Sequence, residues 1–148
     1  MFAWKYVAEY FPMIIGKFPV TLELVIVPFI ASFLLGFAIA IARLKKVPGL
    51  EQLLALYVSY VRCTPVITQM FIVYFGLPIL LANFGINANK WNPVIFVFIA
   101  YSINISAFLS ETIRSSILAV PVGQMEAGYA VGMTSFQTMR GIIVPQAL

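Results

Sequence analysis

The chain has 148 residues, 62% of them hydrophobic and 9% charged, whereas a soluble domain carries about 25% charged residues, so a water-soluble globule is excluded. One cysteine, Cys63, excludes an internal disulfide framework, and five carboxylates with no histidine are too few ligands for a metal cage. A net charge of +4 would suggest nucleic acid in a soluble protein, but here the nine cations flank apolar runs, where they set orientation and touch lipid headgroups, which argues against nucleic acid. The composition is that of an all-α integral membrane protein, with lipid as a partner.

The opening MFAWKYVAEYFPMIIGKFP lacks the clean apolar core and small-residue cleavage site of a signal peptide. With Trp4, Tyr6, Tyr10 and Phe11 it reads as an aromatic, amphipathic stretch lying at the outer interface. Charge-free intervals then mark the spans, since a charge at the bilayer centre costs about 2.5 to 3.5 kcal/mol on insertion scales. The first is LVIVPFIASFLLGFAIAIA, residues 24–42, and with its approach it gives a span over about 22–42. Pro28 and Gly36 inside it are tolerated in membrane helices, and Glu23 at its edge reaches headgroups.

Next, Leu50, Leu53, Leu54, Tyr57, Val58 and Val61 follow helical spacing, which predicts a helix lying on the cytoplasmic surface. The second span opens at Thr64-Pro65 and covers 65–82, with Gly76 and Pro78 expected to end or bend it near the far surface. A third covers 92–114, with Trp91 as an interfacial anchor and Pro93 near the helix start. Arg43, Lys45, Lys46, Arg62, Arg114 and Arg140 fall on one side, and Lys5, Lys17 and Lys90 on the other. The positive-inside rule makes the first group cytoplasmic and puts the N-terminus outside.

Within the third span Ser102, Ser106 and Ser110 recur every fourth residue, a ridge that lets another helix approach, and Asn104 adds a polar group. Helix packing is the simpler reading of Ser102, Asn104 and Ser106, and of Gln69 and Thr68 in the second span. The competing reading places them along a translocation path. Glu111 and Arg114, spaced i, i+3, with Arg62 on the same side, form a cytoplasmic charge cluster that fixes the inner helix ends, with a gate as the alternative. Beyond the span, residues 120–140 read as helix, glycine break, helix: Pro121 suits a start, Gly132 a stop, and Thr134 with Gln137 has capping-box spacing. Met125, Ala127, Tyr129, Ala130 and Met133 make this loop apolar for a solvated connector, so it either packs under its own helices or docks on a soluble partner.

Glu126-Ala127-Gly128, three residues, Gly132, nine residues and Ile142-Ile143-Val144-Pro145 resemble the EAA motif of bacterial ABC importer permeases, E-A-A-x3-G-x9-I-x-L-P. Gly128 stands where the motif has its third-position Ala, and Val144 where it has Leu. Thr21-Leu22, Arg62-Cys63-Thr64-Pro65, Tyr74-Phe75-Gly76-Leu77-Pro78 and the stretch from Glu111 to Gln124 are similar to the polar amino acid branch of that family. The resemblance runs from about Gly16 to Leu148.

The resemblance implies a type I permease-like helix bundle in the bacterial cytoplasmic (inner) membrane. It implies a second permease copy or homologue, cytoplasmic ATPase subunits that receive the loop, and an external solute-binding protein that delivers a polar amino acid. The coupling residues would be Glu126, Ala127, Gly128, Gly132 and Pro145. No G-x4-G-K-[ST] phosphate loop occurs, since Gly16-Lys17 is followed by Phe18. The chain is thus expected to be a transport subunit with no catalytic residue and no cofactor, ATP and Mg acting in the partner ATPase. Family members continue past the motif into further membrane helices, while this sequence stops at Leu148. The reading is a single, C-terminally incomplete permease domain, about three complete spans plus the start of a fourth. The alternative is a non-transporting membrane interaction or assembly subunit, or an inactive truncated permease. A secondary carrier with Glu111 as its proton site leaves the coupling loop without a purpose.

Overall fold

The computed structural model of the protein describes residues 4–147, except the side chains of Lys5 and Ala8. The expectations that touch Met1 to Ala3, the Lys5 side chain or the chain end at Leu148 lie outside the described residues. Among the described residues there are helices and turns and no strand. The elements are α1 (Trp4–Leu44), α2 (Leu50–Cys63), α3 (Val66–Phe71), α4 (Leu77–Ala82), α5 (Pro93–Ala119), α6 (Val122–Ala130), α7 (Ser135–Thr138) and α8 (Val144–Ala147). Glu9–Leu44 and Pro93–Ala119 are each long and apolar enough to cross a membrane, and Val66–Ala82 makes a third span when taken together with α2.

The opening stretch and the first span are one helix, not an interfacial segment followed by a span. α1 holds Pro12, Pro19 and Pro28 in its interior. Each proline removes one donor, but no run of glycine or polar residues separates the two stretches. Away from water an unbroken helix satisfies the remaining backbone groups at least cost. Along α1, Pro28, Ser32, Gly36, Ile39 and Ala40 are buried, at spacings that put them on one face. The opposite face, with Val25, Ile26, Phe29, Phe33 and Leu34 exposed, suits lipid.

Two compact units make up the chain, Met1–Ser32 with Thr64–Ile105 and Phe33–Cys63 with Ser106–Leu148. In the first, Pro65 sits in an extended conformation (φ −61°, ψ 137°) directly before α3, as a proline ahead of a helix should. Gly76 and Pro78 do not end the helix. α3 passes through a π turn, Ile72–Gly76, into α4, which ends at Ala82. Pro78 has no N–H for the carbonyl of Tyr74 and its ring crowds that carbonyl, so one widened turn upstream takes up the misfit and the helix goes on. Pro145 repeats the device: a π turn at Met139–Ile143 joins α7 to α8. The start of α5 is capped by Asn92, whose Oδ1 accepts from the Val94 N–H at 3.0 Å, with Pro93 as the first helical residue. Behind that cap the Phe96 ring meets Tyr74 edge-on at 5.3 Å and Trp91 at 6.1 Å.

In the second unit α1 and α5 touch backbone to backbone. A Cβ on Gly36 would lie 2.9 Å from the Ser106 carbonyl oxygen and 3.2 Å from the Ser110 nitrogen. Only glycine allows that approach. α2 buries Val58 and Val61, with Leu54 and Tyr57 half-buried, whereas Leu53 is 64% exposed. The apolar stripe predicted for α2 is therefore narrower than its sequence pattern.

Candidate functional site

The segment after α5 is built from local signals. α6 starts behind Pro121 and ends in a Schellman motif: the Gly132 N–H donates to the Tyr129 carbonyl and the Met133 N–H to the Gly128 carbonyl, both at 3.0 Å. Gly132 takes φ +81°, a left-handed conformation that side chains disfavour, which is why a glycine stands there. Thr134 then caps α7. Its Oγ1 accepts from the Gln137 N–H, and Gln137 Oε1 accepts from the Thr134 N–H, the reciprocal box read from the sequence. Helix, glycine break and helix are thus present as predicted, with the second helix carried on through the π turn to Ala147.

Of the five residues assigned to coupling, Glu126, Ala127, Gly132 and Pro145 are exposed and Gly128 is buried. The apolar residues divide likewise. Ala127, Tyr129 and Ala130 face outward, together with Val131 at 77% and Phe136 at 73%, while Met125 and Met133 are half-buried. Val131 and Phe136 were not singled out in the sequence, since only the glycine break and the cap decide that they point away from their own helices. Gln124 Oε1 accepts from Gln146 Nε2 at 3.2 Å, tying α8 to α6.

The polar candidates separate into two groups. In the first unit Asn104 Nδ2 donates to Gln69 Oε1 at 3.2 Å, and Gln69 Nε2 donates to Thr64 Oγ1 at 2.6 Å and to the Thr64 carbonyl at 3.2 Å. Gln69 is buried, so this chain satisfies an amide that would otherwise be costly in an apolar helix. In the second unit the Ser106 hydroxyl, also buried, shares a 2.9 Å hydrogen bond with the Tyr57 hydroxyl, and Ser110 Oγ donates to the Ala107 carbonyl at 2.9 Å. Ser102 is half-buried.

The charge cluster has a different membership from the one proposed on sequence. Glu111 accepts from Arg114 at 2.7 Å, as its i, i+3 spacing suggests, and from Arg43 at 2.6 Å. Arg62 is not the second cation on Glu111; its guanidinium lies over the Phe108 ring, 5.6 Å from the centroid. Arg43 entered the sequence reading only as an orientation charge, because its partner is 68 residues away and no local spacing reveals it. Among the described residues no group of three or more His, Cys, Asp or Glu side chains could hold a metal ion.

The chain is 33% identical over 147 residues to the L-cystine transport system permease protein TcyL of Bacillus subtilis (strain 168), covering 99% of this chain and 62% of that protein. It is 39% identical over 145 residues to the L-cystine transport system permease protein TcyB of the same organism, covering 97% and 59%. It thus spans less than two thirds of the length of these relatives. Its backbone is similar to a solved chain described as the crystal structure of an amino acid ABC transporter with histidines, with a TM-score of 0.81, 31% identity and coverage of 99% of this chain and 65% of that one. Residues 32–148 match the family described as binding-protein-dependent transport system inner membrane component, and this membrane chain belongs to that family.

Proposed function

We propose that the chain is a membrane-spanning permease subunit of an ATP-binding cassette importer, and that it helps move a polar amino acid delivered by an external solute-binding protein. The observation that carries this reading is the family match over residues 32–148 together with the loop inside it, which holds Glu126, Ala127 and Gly132 exposed around a helix stop of fixed geometry. Relatives named for L-cystine, arginine and glutamine transport support a polar amino acid as cargo.

In this reading α6 and α7 are the coupling element. They seat on a cytoplasmic ATPase subunit that binds ATP and Mg, and closure of the ATPase pair moves the permease helices as rigid bodies between inward and outward access. A second permease copy or homologue completes the path. Gln69, Ser102, Asn104 and Ser106 are the candidates to line the path, each with helix packing as the competing role. The N-terminus is outside and the loop cytoplasmic, in line with the cation count.

The test is uptake by proteoliposomes holding the full permease with its ATPase and binding protein, offered radiolabelled cystine, arginine and glutamine. Glu126→Ala and Gly132→Val are expected to cut uptake about tenfold or more while the protein still inserts and ATP is still hydrolysed. Undiminished uptake in both variants would remove the loop from coupling. ATPase docking without substrate-stimulated hydrolysis in the unmodified complex would instead point to an assembly subunit.

A further inference from the structure

Gly128 is the buried residue of α6, and what buries it is Thr138 of α7. A Cβ on Gly128 would lie 2.5 Å from Thr138 Cγ2 and 2.7 Å from its Oγ1, well inside van der Waals contact. Thr138 has no room to yield. It is 0% exposed, its Oγ1 donates to the Thr134 carbonyl at 3.0 Å, its N–H donates to the same carbonyl at 2.9 Å, and its β-branched side chain is stiff. The other glycines of the loop differ: Gly123 and Gly132 would meet nothing within 4 Å. The contact is therefore a specific fit of no side chain on α6 against a threonine on α7. It falls at the position where the EAA pattern carries Ala, so Thr138 fills the volume that such a methyl group would need.

This contact lies between the two arms that carry the exposed residues, Glu126 and Ala127 on α6 and Phe136 on α7. We propose that Gly128 and Thr138 are a size-matched pair of positioning residues that sets the angle between α6 and α7, and with it the pose in which the loop meets the ATPase. The proposal rests on the permease reading for the second half of that statement; the first half concerns this chain alone.

The experiment has two arms, both in the full permease with Cys63→Ser as background. In the first, nitroxide spin labels replace Val122 and Phe136, each 73% exposed, and pulsed electron resonance reads their separation. Gly128→Ala should shift or broaden that distance. Thr138→Ala alone should leave it near the original, and the double variant Gly128→Ala with Thr138→Ala, which adds one methyl on α6 and removes a methyl and a hydroxyl from α7, leaves only the Cβ of residue 138, 3.2 Å away, and should bring it back close to the original. Pairing Gly128→Ala with Thr138→Val, which keeps the bulk and loses only the hydroxyl, should not. The second arm measures ATP hydrolysed per amino acid taken up in proteoliposomes: about tenfold higher for Gly128→Ala and within about twofold of the original for the restoring double variant.

Unchanged distances in Gly128→Ala, or a double variant that fails to restore them, overturn the pairing. Restored distances without restored coupling overturn the positioning role. If Gly128→Ala is not recovered from membranes, recovery of the double alanine variant and not of the alanine and valine combination supports the same size match, and equal recovery overturns it. Should the unmodified complex transport nothing, the permease reading fails while the distance arm still judges the pair.

Discussion

The Glu111 carboxylate accepts from two guanidinium groups, with the Arg43 and Glu111 side chains only 13% and 22% exposed. A single anion between two cations offsets part of their desolvation, while Arg43 Nε stays buried without a hydrogen-bond partner. Glu111→Gln keeps the shape and leaves Arg43 and Arg114 facing a neutral amide. The expected loss is about 2 to 4 kcal/mol, visible as a lower thermal unfolding midpoint in detergent. Arg62→Gln, which gives up only a stacked cation, should lower that midpoint by much less. An unaltered midpoint in Glu111→Gln would mean that the cluster does not hold α1 to α5. At this scale sequence and structure meet where the interaction is local. Glu111 with Arg114, and Thr134 with Gln137, lie within one helical turn and were read from spacing. Arg43 with Glu111, Tyr57 with Ser106 and Gln69 with Asn104 join distant stretches, and no spacing rule contains them.

At the scale of elements the contact of α1 with α5 is set by one missing side chain. Gly36→Leu would push its Cβ against the Ser106 backbone, which cannot rotate away as a side chain could. Overpacking of this kind costs about 1 to 3 kcal/mol. Gly16→Ala, on the same helix with nothing within 4 Å, should be neutral or slightly stabilising through helix propensity. The difference between the two unfolding midpoints in detergent is the measurement, and equal midpoints would refute the close contact. The ridge of serines on α5 was legible as a packing surface, but its partner was not, because Gly36 lies in another helix. At Gly76 and Pro78, where an end or a bend is expected, the helix does not end, and the opening stretch, expected to lie at the interface, runs through Pro12 and Pro19 into the first span. An apolar surrounding gives the backbone nowhere else to place its hydrogen bonds, so the helix carries on through these prolines, with a π turn ahead of Pro78 and as unbroken α-helix in α1.

For the whole molecule, orientation follows from where the cations can rest. Single cysteines placed at Asn87 and at Gln124, in a Cys63→Ser background, should react differently with a membrane-impermeant maleimide added to intact cells. The first is expected to label and the second only after permeabilisation. The reverse pattern would invert the topology and move the α6–α7 loop away from any cytoplasmic ATPase.

The amino-acid sequence by itself determined the membrane class, the apolar runs, the sides favoured by the cations, and the helix, glycine break and helix of the loop. Each of these depends on composition or on spacing within a few residues. Only the tertiary structure decided which face of α1 is buried, that Arg43 and not Arg62 completes the pair on Glu111, and that Gly128 is bare because Thr138 stands against it. Those outcomes depend on which distant side chains compete for the same few cubic ångströms, and only the folded chain sets that competition.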